Sequence, residues 1–389
     1  MTTPGSFAIR GRTLLPIVQG GMGVGVSAHR LAGAVARAGA MGTIAGIDLR
    51  HHHADLSEQA QHCRDRDALN RLNFIALDRE IKAALTIAAG HGLVAVNVMK
   101  AVDAHPAYVL QACASGAQAI VMGAGLPLDL PELTEDYPDV ALIPILSDAR
   151  GVAIVLRKWA RKSRLPDAIV IEHPRHAGGH LGAPDPADLA SARFDFSEAL
   201  PGIFKVFDDM GIARARIPII VGGGINSHEK LQAALALGAS AVQLGTPFAV
   251  TEEGDAHPNF KQVLADARPE DIVTFMSVAG LPARAVNTPW LANYLKREAR
   301  LQSVARADPK RCAVGLHCLT RCGLRDGIAR AGQFCIDSQL VAALKGEISK
   351  GLFFRGSESL PFGNAIRPVQ DLIDYLLTGV KLKWEAATA

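Results

Sequence analysis

Two apolar stretches late in the chain each end in small residues that leave the backbone open. Residues 217–221 read IPIIV and residues 241–244 read AVQL, and both suit strands that are buried on two faces. The residues that directly follow them are Gly222, Gly223, Gly224, Gly245 and Thr246. Glycine lets a ligand approach the backbone, and backbone N–H groups attract anions. We therefore predict a phosphate site where these two strands end.

A histidine with a suitable neighbourhood for proton transfer lies in the segment 172–182, which reads EHPRHAGGHLG. Gly178 and Gly179 allow the backbone to lie against a flat or anionic ligand. His180 comes directly after them, and imidazole is the side chain that most often acts as a general base near neutral pH. The segment follows the apolar run 168–171, so we predict that His180 is catalytic. We do not predict a catalytic role for His173 and His176, and expect them to be solvated side chains in a flexible loop.

Four of the six cysteines fall within one short stretch near the C-terminus. They are Cys312, Cys318, Cys322 and Cys335. Sets of four thiolates bind [4Fe-4S] clusters or structural Zn²⁺, although this spacing is not the Cys-x-x-Cys pattern of zinc ribbons. We predict a metal or cluster site here, with buried free thiols as the alternative. Cys63 and Cys113 are interpreted as packing residues.

A run of three histidines, His51 to His53, interrupts a polar stretch early in the chain. Neither a cysteine nor a pair of acidic residues stands at ligand spacing beside it. We expect a solvated surface loop rather than a metal site.

The elements that must position these residues follow from eight apolar runs. Most runs end in polar or glycine residues and are followed by a helical pattern. This alternation is typical of an α/β fold, and eight such units predict a (β/α)₈ TIM barrel. The predicted strands are residues 14–19, 41–47, 93–99, 119–122, 141–146, 168–171, 217–221 and 241–244.

The chief rival is a doubly wound dinucleotide fold that would use Gly21, Gly23 and Gly25, with Asp48 as the ribose acid. That fold leaves the late triple glycine unexplained, so the barrel is favoured. The helix that closes the barrel is predicted at Val369–Leu377, which makes 252–366 an inserted lid. We divide the chain into a barrel at 1–251, a lid with the cysteine-rich segment at 252–366, and a returning helix at 367–389.

Composition narrows the class of protein. The chain has 389 residues, 49% hydrophobic and 20% charged, with a formal net charge of +3. This is ordinary for a soluble enzyme, and no basic block suggests nucleic acid as a partner. No signal-like or bilayer-spanning run is visible, so we expect no membrane contact, a cytoplasmic protein and a small-molecule substrate.

The motifs PIVQGGMG, AGGHLG, IPIIVGGGI and VQLGTPF together resemble the nitronate monooxygenase (2-nitropropane dioxygenase-like) family of FMN-dependent oxidoreductases. Flavin-dependent enoyl-acyl-carrier-protein reductases and NAD(P)H:quinone reductases are related to it. The resemblance extends into the lid at HPNFKQVLADA and SVAGLPARAV. The run EHPRHAGGH departs from the EGxEAGGH-like run of the family, which affects the expected substrate rather than the flavin.

The resemblance implies FMN, with its phosphate on the glycine-rich strand ends described first. It also implies that Gly21, Met22 and Gly23 lie against the isoalloxazine and that Asn97 hydrogen-bonds the flavin. Gly178 and Gly179 would contact the flavin, and His180 matches the active-site histidine.

The expected activity is oxidation of alkyl nitronates by O₂ to a carbonyl compound and nitrite. Two alternatives stay open. One is an NAD(P)H-dependent flavin reductase acting on quinones or enoyl thioesters, and the other is an electron-transfer module with a flavin and an Fe-S cluster.

Overall fold

The computed structural model describes residues 5–381; the ends of the first and third predicted segments, 1–4 and 382–389, lie outside it. The strands are β1 (Phe7–Ile9), β2 (Arg12–Leu14), β3 (Ile17–Gln19), β4 (Met41–Ala45), β5 (Leu93–Met99), β6 (Ala119–Gly123), β7 (Ala141–Leu146), β8 (Ile169–Glu172), β9 (Gly179–His180), β10 (Ile219–Gly222), β11 (Ala241–Leu244), β12 (Ile272–Met276) and β13 (Pro282–Val286).

Eight of these strands are parallel and form a closed barrel. Going round it, the order is β3, β4, β5, β6, β7, β8, β10 and β11, and β11 pairs with β3 to close the sheet. Each barrel strand overlaps one of the eight predicted runs, because runs buried on both faces are continuous apolar segments. The prediction of a (β/α)₈ barrel is confirmed.

The helices are α1 (His29–Arg37), α2 (Ala54–Ala60), α3 (Arg66–Ala88), α4 (His105–Ala114), α5 (Leu130–Leu133), α6 (Ala149–Ala160), α7 (Phe196–Asp209), α8 (His228–Ala236), α9 (Thr246–Ala249), α10 (Pro258–Asp266), α11 (Pro289–Leu295), α12 (Glu298–Ser303), α13 (Gly323–Asp326), α14 (Ile336–Leu344) and α15 (Val369–Thr378). The larger hydrophobic cluster lies between the strands and the outer helices. No helix within residues 5–381 combines the length and the apolar character that crossing a bilayer requires.

A smaller cluster fills the interior of the barrel. Val18, Ala95, Val121 and Val170 point inward from four strands. The hairpin β1–β2, which the sequence reasoning missed, packs Phe7, Ile9 and Leu14 against this cluster and covers one end of the barrel. The interior is therefore a packed core, and the opposite end of the barrel is where a ligand can bind.

The residues between β11 and α15 form the inserted part, and α15 then contacts α1 and α8 to complete the barrel wall. Strands β12 and β13 pair antiparallel, and β13 also pairs with β9, which belongs to the barrel loop after β8. The segment that carries His180 is thus held as a strand between barrel and lid. The domain boundaries themselves stay a prediction.

Candidate active site

A large cavity of about 300 Å³ opens at the C-terminal end of the barrel strands, under the inserted lid. His180 lines this cavity. All the residues that the sequence predicts for the cofactor line it too, with the exception of Gly222. The C-terminal face is where barrel enzymes place their chemistry, because the loops from all strands converge there.

The predicted phosphate residues meet at one end of the cavity. Gly222 at the end of β10 pairs in register with Gln243 of β11, so the loops after both strands start side by side. Gly223 and Gly224 have φ values of +92° and +85°, which favour glycine. Thr246 begins the short helix α9, and phosphates in barrels often bind at such an extra helix.

Side chains would not fit at either of the two glycines. A Cβ on Gly223 would lie 2.7 Å from the carbonyl oxygen of His173, and one on Gly224 would lie 3.0 Å from the side chain of His176. The close packing and the positive φ values together explain why glycine occupies positions 223 and 224. It leaves a surface of backbone atoms, which suits an anionic group that needs N–H donors.

The cavity floor is formed by the loop after β3 and by β5. A Cβ on Gly21 would lie 2.4 Å from Cβ of Asn97, so only glycine allows this loop to cross β5. Asn97 donates from Nδ2 to the carbonyl of Val121 at 3.4 Å. Met22 is fixed by two hydrogen bonds with Ser27, one from its N–H at 2.8 Å and one to its carbonyl at 3.0 Å. The result is a narrow slot with an apolar thioether at its edge.

His180 lies in β9, and its Nε2 is 2.8 Å from Oγ of Ser277, which follows β12. The ring also makes an edge contact with Phe354, with centroids 5.5 Å apart. Burial lowers the pKa of His180 to about 4, so the imidazole is neutral at physiological pH. Within residues 5–381 the hydrogen bond of the imidazole ring is that of Nε2 to Ser277, which leaves Nδ1 for a ligand.

The glycines before His180 let the lid come close. A Cβ on Gly178 would lie 2.5 Å from the carbonyl carbon of Arg355, and Gly179 has a φ of +73°. Arg284 in β13 donates to the carbonyl of Ala177, so a buried guanidinium holds the loop from the lid side. Gly178 and Gly179 therefore lie where barrel and lid meet.

Glu172, the last residue of β8, is a cavity residue that the sequence reasoning did not assign to the site. Burial raises the pKa of its carboxyl group to about 7. It therefore takes up a proton near neutral pH, whereas an ordinary carboxyl group is ionised there. Its position at the end of a barrel strand was a visible signal for function, since polar residues there commonly take part in the site.

A second set of polar residues connects lid and barrel beside the phosphate loops. Lys230 Nζ is 2.6 Å from Oε2 of Glu358 and donates to the carbonyl of Gly224 at 2.8 Å. Nδ1 of His176 lies 3.0 Å from Oε1 of Glu358. Thr246 accepts a hydrogen bond from the N–H of Gly356 at 3.0 Å. No sequence pattern indicated the contacts to Glu358 and Gly356, because they join residues more than 100 positions apart.

His173 and His176 are not solvated loop residues as expected. His173 is buried, and its Nε2 lies 2.9 Å from Oδ1 of Asp195. His176 lines the cavity. The expectation of a solvated loop was wrong for them because the start of α7 packs against His173 and the inserted part packs against His176.

The prediction that His51 to His53 form a solvated loop was also wrong. His51 lies 3.2 Å from Asp48, His53 lies 3.0 Å from Glu80, and His52 contacts the carbonyl of Gly25 at 2.8 Å. Asp48 and Glu80 are fully buried, so these histidines cover buried carboxylates. Asp48 is close in sequence and Glu80 lies in α3, so the run packs against two buried carboxylates and does not form a free loop.

The four late cysteines all lie in the inserted part. They form no disulfides and are half-buried. Cys318 lines the cavity beside Asp337. Within residues 5–381, no three His, Cys, Asp or Glu side chains stand close enough together to hold one metal ion. A metal or cluster at these cysteines stays a prediction.

Comparison with known proteins places this geometry in a family. The nitronate monooxygenase family model matches residues 10–378. A nitronate monooxygenase from Pseudomonas aeruginosa is 31% identical over 122 residues, which is 31% of this chain and 31% of the relative. The chain matches about a third of the length of such curated relatives.

Two solved structures share the fold over most of their length. FabK from Thermotoga maritima has a TM-score of 0.63 at 22% identity, covering 93% of this chain and 91% of that chain. Nitroalkane oxidase from Streptomyces ansochromogenes has a TM-score of 0.59 at 20% identity, covering 93% and 94%. The family match spans nearly the whole described chain, including the barrel and the inserted part. The chain therefore belongs to the nitronate monooxygenase family, a family of oxidoreductases.

Proposed function

We propose that this protein is an FMN-dependent nitronate monooxygenase, which oxidises alkyl nitronates with O₂ to a carbonyl compound and nitrite. The observation that carries the proposal is one cavity that combines glycine-lined strand ends with a buried, neutral His180. The family membership supports the reaction type.

The residues present fit FMN by shape and charge. Gly223, Gly224, Gly245 and Thr246 would hold the phosphate, and Gly222 ends the strand that positions them. Gly21, Met22 and Gly23 would face the ring on one side, with Asn97 as a hydrogen-bonding group. The glycine at position 21, where a Cβ would collide with Asn97, leaves a slot of the kind that a flat ring requires. FMN would supply the electron transfer between the nitronate and O₂.

The role of His180 follows from its protonation state. A neutral imidazole can take the α-proton from a neutral nitroalkane, or it can donate an N–H to a bound nitronate oxygen. Ser277 fixes the ring through Nε2, so that Nδ1 is the atom that meets the substrate. A bound anion would raise the pKa of His180 from about 4, because charge attraction opposes the effect of burial.

Glu172 serves as a neutral hydrogen-bond donor in the same cavity below pH about 7. A protonated carboxyl group avoids placing a second negative charge beside a nitronate. Gly178 and Gly179 hold the His180 segment against the lid, which excludes water from the cavity. Since water competes for hydrogen bonds, its exclusion strengthens the contact between His180 and the substrate.

The test is an anaerobic and aerobic comparison with the purified protein. We expect a yellow protein that releases a flavin absorbing near ~450 nm on acid precipitation. Under air, an alkyl nitronate should cause oxygen uptake together with nitrite release, and two nitronates should be consumed for each O₂, because each carbonyl product takes up one oxygen atom. Bleaching of the flavin by NAD(P)H without any oxygen uptake on nitronate would instead favour a reductase of quinones or enoyl thioesters.

A further inference from the structure

The cavity extends well beyond the strand ends that are proposed for the phosphate. Those strands, β10 and β11, lie halfway round the closed barrel from β5 and β6. The part of the cavity next to β5, which we call the far lobe, is lined by Val102, Tyr108, Leu319, Ile336, Asp337 and Leu340. Leu319 forms a β-bridge with Val102 just after β5, and Ile336 belongs to the same apolar cluster as Leu319. The far lobe is therefore fixed on the side of the barrel mouth opposite to the phosphate end.

Helix α14 of the inserted part forms one wall of the cavity. The face that it turns to the cavity carries residues three positions apart, namely Asp337, Leu340 and Ala343. The N–H of Leu352 donates to the carbonyl of Gln339 in α14 at 3.0 Å, which attaches the segment that carries Phe354. Phe354 in turn makes the edge contact with His180. A continuous wall therefore leads from the proposed catalytic histidine to the far lobe.

This wall is apolar between its two ends. One apolar cluster contains the cavity-lining residues Leu319, Ile336, Leu340, Leu352 and Phe354. Apolar surface of this kind favours the methylene groups of an alkyl chain, and each buried methylene tightens binding by about fourfold. A substrate that reacts at His180 can therefore extend an alkyl chain along the wall into the far lobe.

Asp337 is the carboxyl group at the end of this apolar wall. It is 4% exposed, and within residues 5–381 neither of its carboxyl oxygens has a hydrogen-bond or ion-pair partner. Oδ2 is enclosed by the protein, so Oδ1 is the oxygen that a ligand in the cavity can reach. The hydroxyl group of Tyr108 does not serve as a partner, because it donates to Oδ1 of Asn70 at 3.4 Å. Burying a polar group without a partner is costly, so a ligand that supplies the missing hydrogen bond is favoured here.

The charges around Asp337 indicate which polar group it receives. Arg50 is fully buried, pairs with Asp48, and lies within electrostatic reach of Asp337. Burial raises the pKa of Asp337, and Arg50 and His51 oppose part of that rise. The guanidinium group disfavours a second cation in the far lobe, and the carboxyl group disfavours an anion. A hydroxyl group is neutral and can both donate and accept, so it pairs with the carboxyl group in either protonation state.

We propose that the far lobe binds the tail of the substrate and that Asp337 selects an alkyl nitronate whose chain ends in a neutral hydroxyl group. The inference rests on the proposed function for the identity of the reacting end, which meets His180. The apolar wall receives the chain, and the carboxyl group of Asp337 forms a hydrogen bond with the terminal hydroxyl group. Asp337 is thus a specificity-determining residue that contacts the remote end of the substrate and takes no part in the bond changes.

The test measures binding of carboxylates, which resemble nitronates in being planar anions with the charge on two oxygen atoms but are not oxidised. Isothermal titration calorimetry of the full chain compares hexanoate, octanoate and decanoate, each in its plain, ω-hydroxy and ω-amino form. At the chain length that reaches Asp337, the ω-hydroxy acid should bind about tenfold more tightly than the plain acid. The ω-amino acid should bind more weakly than the ω-hydroxy acid, because of the positive charge of Arg50.

Variants assign this preference to the carboxyl group. Asp337→Leu should remove the preference for the hydroxyl group, whereas Asp337→Asn should retain most of it, since an amide also accepts and donates hydrogen bonds. Glu347→Leu removes an exposed carboxylate just beyond the end of α14. It is the matched control and should keep the wild-type order of Kd values. Leu340→Trp fills the far lobe from the next turn of α14 and should weaken binding of all the longer acids.

Equal Kd values of the wild type for plain and ω-hydroxy acids at every chain length would overturn the proposal. Tighter binding of the ω-amino acids would overturn it as well, and so would the wild-type preference in a folded Asp337→Leu protein. Circular dichroism establishes that each variant is folded. If Asp337→Leu does not fold, Leu340→Trp decides, because unchanged Kd values for the longer acids would place the chain outside the far lobe.

Turnover separates this inference from the proposed function. Oxygen uptake on the nitronate of a short nitroalkane, which has no hydroxyl group, reports the proposed reaction alone. Turnover of that nitronate without any preference among the carboxylates would overturn the role of Asp337 and leave the reaction intact. A preference for ω-hydroxy acids in a protein that oxidises no nitronate would support the far lobe as a binding site and remove the reaction.

Discussion

At the scale of single residues, His180 is the side chain on which the proposed chemistry depends. His180→Ala removes the group that meets the substrate, so kcat/KM for nitronate oxidation should fall by about 10²-fold or more. Oxygen uptake on an alkyl nitronate measures this. His62→Ala, at an exposed position, is the control and should leave the rate unchanged. Normal turnover by a folded His180→Ala enzyme would remove the histidine from the mechanism.

The pH dependence of the free enzyme tests the protonation state of the same residue. Because burial lowers the pKa of His180 to about 4, the neutral form persists well below pH 6. In the pH profile of kcat/KM, the limb caused by ionisation of His180 should therefore lie near pH 4 and not near the ordinary histidine pKa of 6.5. Ser277→Ala should shift this limb, since Ser277 is the hydrogen-bond partner of the ring. A limb at pH 6 to 7 that His180→Asn abolishes would contradict a buried, neutral histidine.

Glu172 should make the free energy of unfolding depend on pH, because its pKa differs between the folded and the unfolded chain. Its pKa is raised from 4.5 in the unfolded chain to about 7 in the folded one. Between these values the folded state binds more protons, so the free energy of unfolding should decrease as pH rises from 4.5 to 7. Glu172→Gln should remove that part of the decrease, which denaturant titrations at several pH values measure. An unchanged slope in Glu172→Gln would show that the carboxyl group ionises normally.

At the scale of elements, the glycine before His180 controls how closely barrel and lid approach. In Gly178→Ala the new Cβ would lie 2.5 Å from the backbone of Arg355, so the lid must shift. We expect a loss of stability of about 1–3 kcal/mol and weaker flavin retention. Gly151→Ala in α6 is the matched control, because its Cβ would meet only ordinary contacts beyond 3.4 Å. Equal Tm values for Gly178→Ala and Gly151→Ala would contradict the close approach of the lid to Gly178.

Most of the barrel could be predicted from the sequence, whereas most of the lid could not. The eight barrel strands are short apolar runs, and their burial on two faces makes them visible without any partner. Strand β9 has two residues, and it exists only because β13 pairs with it. Such pairing depends on residues about 100 positions away. The same holds for Ser277, which no local pattern connects with His180.

In the candidate site, too, local features could be predicted from the sequence and long-range contacts could not. The glycines at strand ends were identified because their role requires only local backbone geometry. The position of Glu172 at a strand end could be read from the sequence, but its role could not be predicted, because its raised pKa comes from burial in the folded cavity. Histidines 51–53 were misjudged because Asp48 and Glu80, their partners, are buried carboxylates that composition alone would place at the surface.

At the scale of the whole molecule, the carboxylate of Asp255 joins the start of the inserted part to the barrel helix α1. Asp255 accepts from the N–H groups of Ala28, Arg30 and Leu31 at 2.7, 3.1 and 3.1 Å, at the beginning of α1. Asp255→Ala removes all three acceptor contacts and should lower the free energy of unfolding by about 1–3 kcal/mol. Asp255→Asn keeps one carbonyl oxygen and should lose less. Thermal unfolding ranks the two variants, and equal losses would contradict the capping role.

Since the cavity is built from both barrel and lid, its proposed occupant should stabilise the whole chain in a single transition. A ligand that binds only the folded state adds about 2.7 kcal/mol at a concentration of 100 Kd. FMN added to flavin-free protein should therefore raise Tm clearly. Riboflavin has the same ring without the phosphate, so it cannot use the backbone surface at Gly223, Gly224 and Thr246 and should raise Tm less. An equal shift with both compounds would place the phosphate outside those strand ends, whereas two separate unfolding transitions would show that lid and barrel do not share the site.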